Sequence, residues 1–191
     1  MKLHRIKPDI RVVVSPAGLS MRIPVLVEHY SAYTPPGYVR DTVRKLVEGL
    51  PEQCIAGLRC VVLTNAAALP KGSAGKVRKR RLRRRHCLGF YHPAGRDGGA
   101  WIEIVVDNAI AGWRVPAMLM RVPIVRETVL AETLFHELGH HLDMIAGAAA
   151  PSGEQAAEDW RRRLFGMYLR KRYWYLRPLV QLAKIYAHRR R

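Results

Sequence analysis

The 191-residue chain carries 33 Lys and Arg against 15 Asp and Glu, a formal net charge of +18, with 49% hydrophobic and 25% charged residues. That balance excludes a disordered chain, no apolar run reaches the ~18 residues of a membrane span, and residues 1–16 lack the apolar core of a signal peptide. A single domain with a sizeable core is expected, with the cytoplasm as its default compartment.

Along the chain, Arg11 to Val14 is a short β-branched run that predicts a strand. Tyr38 to Gly49 has helical period, with Val39, Val43, Leu46 and Val47 as its apolar side and Gly49-Leu50-Pro51 as its stop. Leu58 to Thr64 predicts a second strand. Three cysteines, Cys54, Cys60 and Cys87, form no C-x-x-C pair and lie in or beside apolar segments, so buried thiols are expected rather than a disulfide framework.

The positive charge is concentrated. Residues 71–85 hold 9 Lys or Arg and no acid, residues 161–191 hold 11 and no acid, and the remainder has 13 basic against 15 acidic residues. A near-neutral body therefore carries two cationic segments. The first, with Lys76, Arg78, Lys79, Arg80, Arg81, Arg83, Arg84 and Arg85, follows Lys71-Gly-Ser-Ala-Gly75. It is expected to be a flexible basic loop inserted at 71–86 in a domain spanning 1–176, with 177–191 as a basic extension. Its natural partner is a polyanion: nucleic acid first, an anionic membrane surface next, and a merely solvated insertion as the bland alternative.

Leu88 to Tyr91 and Trp101 to Val106 predict a hairpin across the turn-rich segment 92–99. In the second strand Ile102, Ile104 and Val106 point one way and Trp101, Glu103 and Val105 the other, as on a strand with one buried face.

A helix is then predicted from just after Pro123 to near Gly147. At 100° per residue, Ala131, Leu134, Phe135, Leu138, Leu142 and Ile145 form its core side, and Val129, Glu132, Thr133, His136, His140 and Asp143 the opposite side. It contains His136-Glu137-Leu138-Gly139-His140, an H-E-x-x-H pattern. Residues four apart share a helical face, so both imidazoles reach one cation, and Glu137, a third of a turn round, reaches a water on that cation without ligating it. That is zinc hydrolase chemistry with Glu137 as general base.

Such a site needs a third protein ligand, for which Asp143, Glu154 and Glu158 are the candidates. Asp143, three residues past His140 with a short side chain, better suits orienting an imidazole N–H than reaching the ion. Pro151-Ser152-Gly153-Glu154-Gln155 predicts a helix start with Ser152 as N-cap and Gln155 completing a capping box, and this helix runs to about Leu176. Glu154 and Glu158 share a face on it, where compensation of the helix dipole is the bland account of both. Trp160, Leu164, Phe165, Tyr168 and Leu169 pack the helix back on the core, and Tyr173-Trp-Tyr175 with 178–188 suit either a cover for the domain or an amphipathic surface segment.

The stretch from His136 to Asp143, followed by Glu154-Gln-Ala-Ala-Glu158-Asp-Trp160, resembles the gluzincin peptidases, in particular the minimal gluzincins and lethal-factor-like catalytic domains. About 25 residues carry the likeness. It implies an α+β, zincin-like fold: a small mixed sheet, an active-site helix and a following glutamate helix. It implies Zn²⁺ on His136, His140 and Glu154, Glu137 as base, and Glu158 as partner of a ligand histidine. It also implies that Trp101 to Val106, if an edge strand, binds a peptide substrate by strand addition; an ordinary core strand is the alternative. An electrophile for the oxyanion is usual in such enzymes, and Tyr168, near the Glu154/Glu158 face, is the candidate. The chain departs from the family in its short spacer. A symmetric hairpin centred near Ala149 levels Glu158, not Glu154, with His140, so both stay open as third ligand. The metzincin pattern wants Gly at the position of Asp143 and His at that of Ala146, and has neither. Three functions compete: a zinc metalloendopeptidase, a polyanion-binding protein with a structural or decayed zinc site, and a protease recruited to nucleic-acid-bound proteins.

Overall fold

Four apolar residues at helical spacing and two β-branched runs decide the first half of the domain. In the computed structural model, which describes residues 23–28, 34–66, 74–77, 80–83, 87–95, 98–147 and 153–176, Val25–Val27 forms strand β1, Gly37–Glu48 helix α1 and Leu58–Thr64 strand β2. The expected strand at Arg11 to Val14 lies outside the described residues. In α1, Val39, Val43, Leu46 and Val47 are all buried, as their spacing predicts. The Arg40 guanidinium donates to the Val25 carbonyl at 3.2 Å, tying α1 to the strand before it.

Part of the segment expected to be a flexible basic loop is strand among the described residues. Its backbone forms an antiparallel ribbon of β3 (Ala74–Val77) and β4 (Arg80–Arg83), with Lys76 opposite Arg81 and Val77 opposite Arg80. Arg78, Lys79, Arg84 and Arg85 lie outside the described residues. The predicted hairpin is present as β5 (Gly89–His92) and β6 (Ala100–Val105), followed by helices α2 (Val106–Ala111), α3 (Pro123–Ile145) and α4 (Glu154–Arg172). No described helix is long and apolar enough to cross a membrane.

The main sheet has the order β1-β2-β6-β5: β1, β2 and β6 run parallel, and β5 runs antiparallel to β6. This is a mixed α+β fold with a small four-stranded mixed sheet. Trp101 to Val106 is therefore not an edge. Parallel pairing with β2 places β6 inside the sheet and leaves β5 at the edge beside α3. Nor is β6 exposed on one face: Glu103 and Val105 are buried as well as Ile102 and Ile104, and only Trp101 is half-exposed.

Val61, Leu63, Ile102 and Ile104 meet α1 and α3 in the core, where Leu130, Leu134, Phe135 and Leu138 are wholly buried and each contributes about 2 kcal/mol of transfer free energy. Helix α3 is buried round most of its circumference, because β5 and α4 between them cover the side that periodicity assigned to the site. Val129, Thr133 and Asp143 are buried there, whereas Ile145, expected in the core, is exposed beyond the end of the sheet. Cys54 and Cys60 are buried free thiols and Cys87 is half-buried.

Helix α4 begins with Gly153, at φ +68°, as its N-cap, not with Ser152, and no side chain caps it. The left-handed backbone there suits glycine, and Gln155 donates forward to Asp159 at 3.3 Å rather than back to the cap. The two helices lie against each other most closely at Gly139, where a Cβ would stand 2.4 Å from the Ala157 carbonyl oxygen. A methyl group there forces the helices apart, and overpacking of this kind costs about 1–3 kcal/mol. Gly139→Ala is expected to lower the unfolding free energy by roughly that amount and to weaken metal binding with it; an unchanged denaturation midpoint contradicts this account of the helix pair.

Candidate metal centre

His136 and His140 stand one turn apart on α3 with their rings nearly perpendicular, centroids 4.9 Å apart. Glu154, in the first turn of α4, brings a carboxylate oxygen to 3.2 Å from His136 Nε2 and 3.9 Å from His140 Nε2. One ligand atom from each of the three lies within 4.8 Å of the others, the one such group of three among the described residues. Tetrahedral zinc with bonds near 2.1 Å sets its donors about 3.3 Å apart, so the trio fits such an ion with small side-chain movements. Two imidazoles and a carboxylate are also the donor chemistry zinc takes in hydrolases. The Glu154 side chain is 74% exposed, so the cluster opens to solvent. Burial and the neighbouring His136 hold the His140 imidazole below its ordinary pKa, which favours the neutral form that ligates.

The register of the helix pair decides between the two glutamates. Contacts of Glu127 with Tyr168, Glu132 with Arg161 and Gly139 with Ala157 centre the hairpin near Gly147, not Ala149. A shift of the centre counts twice on the partner helix, and it replaces Glu158 by Glu154 at the level of the histidines. Glu158 is instead committed to arginines. Arg161 donates to it from Nε at 2.7 Å and Nη2 at 2.6 Å, and Arg162 Nε donates at 3.0 Å. These guanidiniums, Arg161 foremost, hold its carboxyl down at about 2. Arg161 also pairs with Glu132, joining α4 to α3. The expectation of Glu158 as partner of a ligand histidine is thereby corrected. Asp143 is buried, and its charge acts on the His140 imidazole.

Glu137 is the buried carboxyl of the site, 8% exposed on the side of α3 that meets β5. Burial first, then the Glu154 carboxylate, pushes it up to about 8, against a hydrogen bond from the Tyr91 backbone N–H that favours the charged form. The close approach of β5 depends on Gly89, where a Cβ would lie 2.9 Å from the Thr133 methyl carbon and 3.0 Å from Glu137 Cγ. The entry to β5 is pinned by Asn108, whose side-chain amide donates to the Cys87 carbonyl at 2.9 Å.

His141, beside the motif, is not a ligand. Its Nε2 lies 2.9 Å from the Ala56 carbonyl and its Nδ1 3.2 Å from the Tyr91 hydroxyl. With the proton on Nε2, which the carbonyl demands, His141 donates to Ala56 and accepts from Tyr91, so one neutral imidazole ties α3 to the turn before β2 and to the strand that holds Glu137. Sequence reasoning missed both His141 and Tyr91, since their partners lie 85 and 50 residues away along the chain.

Tyr168 is not at the site. It is 3% exposed, its hydroxyl donates to Glu127 Oε2 at 2.8 Å, and the Tyr173 hydroxyl donates to the same oxygen at 2.6 Å. Glu127 is nine residues before His136, about 13 Å along α3, so Tyr168 steadies a buried carboxylate at the far end of the helix pair and cannot serve an oxyanion near the histidines. No family model matches this chain, and no curated protein or solved structure does either. Tyr168→Phe removes one donor from a buried carboxylate and is expected to cost about 1–3 kcal/mol of stability while leaving metal content untouched; a loss of metal with unchanged stability contradicts this placement.

Proposed function

We propose that the chain is a zinc-dependent metallopeptidase of the gluzincin kind, with the zincin-like arrangement that its motif implies. One observation carries the reading: the donor atoms of His136, His140 and Glu154 converge within 4.8 Å beside the buried carboxyl of Glu137. Zinc held by those three groups supplies a Lewis acid for a peptide carbonyl and lowers the pKa of water. The proton is the business of Glu137. It takes one from the attacking water and passes it to the leaving amine, and its burial, which raises its proton affinity, suits it to both transfers. The Glu137 carboxylate, beside the cation that His136, His140 and Glu154 would hold, would be kept available as a base.

The edge role passes from β6 to β5. Among the described residues Gly89–His92 pairs with a strand on one side only, to β6, and an extended peptide added to that edge would lie beside Tyr91, whose amide meets the base. Three donors among the described residues, two half-buried histidines and an exposed glutamate, suit a hydrolytic site with a fourth position for water better than a closed structural one. Glu137→Gln keeps shape and removes the base, so hydrolysis of a casein or peptide substrate is expected to fall by about a thousandfold or more with zinc still near one per chain; loss of zinc from this variant refutes the base assignment.

A second role is favoured by the ribbon, where cross-strand pairing sets Lys76 opposite Arg81 in an acid-free segment. Association with polyanions through residues 71–86 follows from that charge. Deleting 71–85 is expected to weaken heparin binding and its salt dependence without changing cleavage of a small peptide, and unaltered heparin affinity would contradict it.

A further inference from the structure

The segment that leads into the N-terminal end of α3 is exposed along most of its length. Residues 111–119 and 121–123 are exposed apart from half-buried Val115, and they include Met118 at 71%, Trp113 at 43%, Val122 at 41% and Leu119 at 40%. Of this segment only Met120 is buried, in the short 3-10 turn Leu119–Arg121. The antiparallel α4 brings its C-terminus to the same end, since Tyr173 and Arg172 meet Glu127, five residues after Val122. There Trp174 is 66% and Tyr175 55% exposed. Large apolar side chains left in water at one end of a domain are not dictated by the core and mark a surface with a partner.

Within these two segments the charge has one sign. No acidic residue occurs from Asn108 to Arg126 or from Trp160 to Arg191, and exposed Arg114, Arg121 and Arg170 stand among the apolar groups. Glu127, which meets the C-terminal end of α4, is buried and held by tyrosines. A second copy of the chain on this face would set arginine against arginine. Nucleic acid would use the arginines and stack on Trp174, but it has nothing to offer Met118, Leu119 and Val122. A bilayer with anionic headgroups uses all of them: phosphates take the guanidiniums, the hydrocarbon boundary takes the aliphatic groups, and tryptophan and tyrosine favour the interface between the two. We infer that this end of the domain, built from the 111–123 segment and the Trp174–Leu176 turn, is a docking surface for anionic membranes. The inference is independent of the peptidase reading.

The test uses the full chain and sucrose-loaded vesicles of phosphatidylcholine with about a quarter phosphatidylglycerol. Wild type is expected to sediment with them and far less with pure phosphatidylcholine. The paired variants Met118→Ser with Leu119→Ser, and Trp174→Ser with Tyr175→Ser, are each expected to lower the partition coefficient about tenfold or more at unchanged thermal midpoint. Lipids brominated in the acyl chain are expected to quench wild-type tryptophan fluorescence, and that quenching should be lost in Trp113→Phe with Trp174→Phe. The inference is overturned if wild type ignores anionic vesicles, or if the serine variants bind as well as wild type, which assigns the attraction to charge alone. Sedimentation velocity showing a dimer that the same variants dissolve overturns it too, by giving the face to a second copy.

Discussion

The approach of two helix backbones at Gly139 is the constraint on which the rest depends. A helix whose side chains surround it keeps a neighbour at 8–10 Å or so between axes. Removing one Cβ between His136 and His140 lets Ala157 of α4 come in against α3, and the position of Ala157 then fixes that of every residue on α4. Glu154 falls beside the histidines and Glu158 turns to Arg161 and Arg162. Farther along, Phe135 meets Phe165 and Tyr168 edge-on, and Glu127 receives two tyrosine hydroxyls. The donor set is thus a consequence of packing along the whole helix pair, not of the few residues that carry it.

The same helix is held from its other side by the sheet edge. Gly89 permits β5 to lie close against Thr133 and Glu137, and the Tyr91 amide then reaches the Glu137 carboxylate. His141 fastens the arrangement through the Tyr91 hydroxyl and the Ala56 carbonyl. A carboxylate buried in this way has a fixed orientation, because its supports are backbone and buried side chains rather than mobile surface groups. In the proposed function that fixed geometry is what lets one carboxylate serve as base and then acid.

Local patterns were readable where the forces that set them are local. The apolar spacing of α1, the β-branched run of β2, the hairpin of β5 and β6, and the length of α3 all follow from residues within one element, and the structure gives them to within a residue or two. The histidine pair was readable for the same reason. What depended on distant partners was not. The order of strands, which puts β6 inside and β5 at the edge, comes from pairing between β2 and β6 across some forty residues. Tyr168 could be placed on a helix face by periodicity, but only Glu127, 41 residues away, shows which end of the hairpin that face meets. The choice between Glu154 and Glu158 hinged on the hairpin register, and the signal for it, a glycine inside the motif, was in plain view without its partner. At the start of α4 the backbone of Gly153 prevailed over Ser152 because a left-handed turn enters the helix there.

Zinc stoichiometry tests the central claim most directly, measured by elemental analysis on wild type and on separate Glu154→Ala and Glu158→Ala variants after dialysis against trace metal. The account predicts about one zinc per chain in wild type and in Glu158→Ala, and a loss confined to Glu154→Ala. A wild type without zinc, or a variant pair in which Glu158→Ala alone loses it, contradicts the geometry on which the proposed function stands.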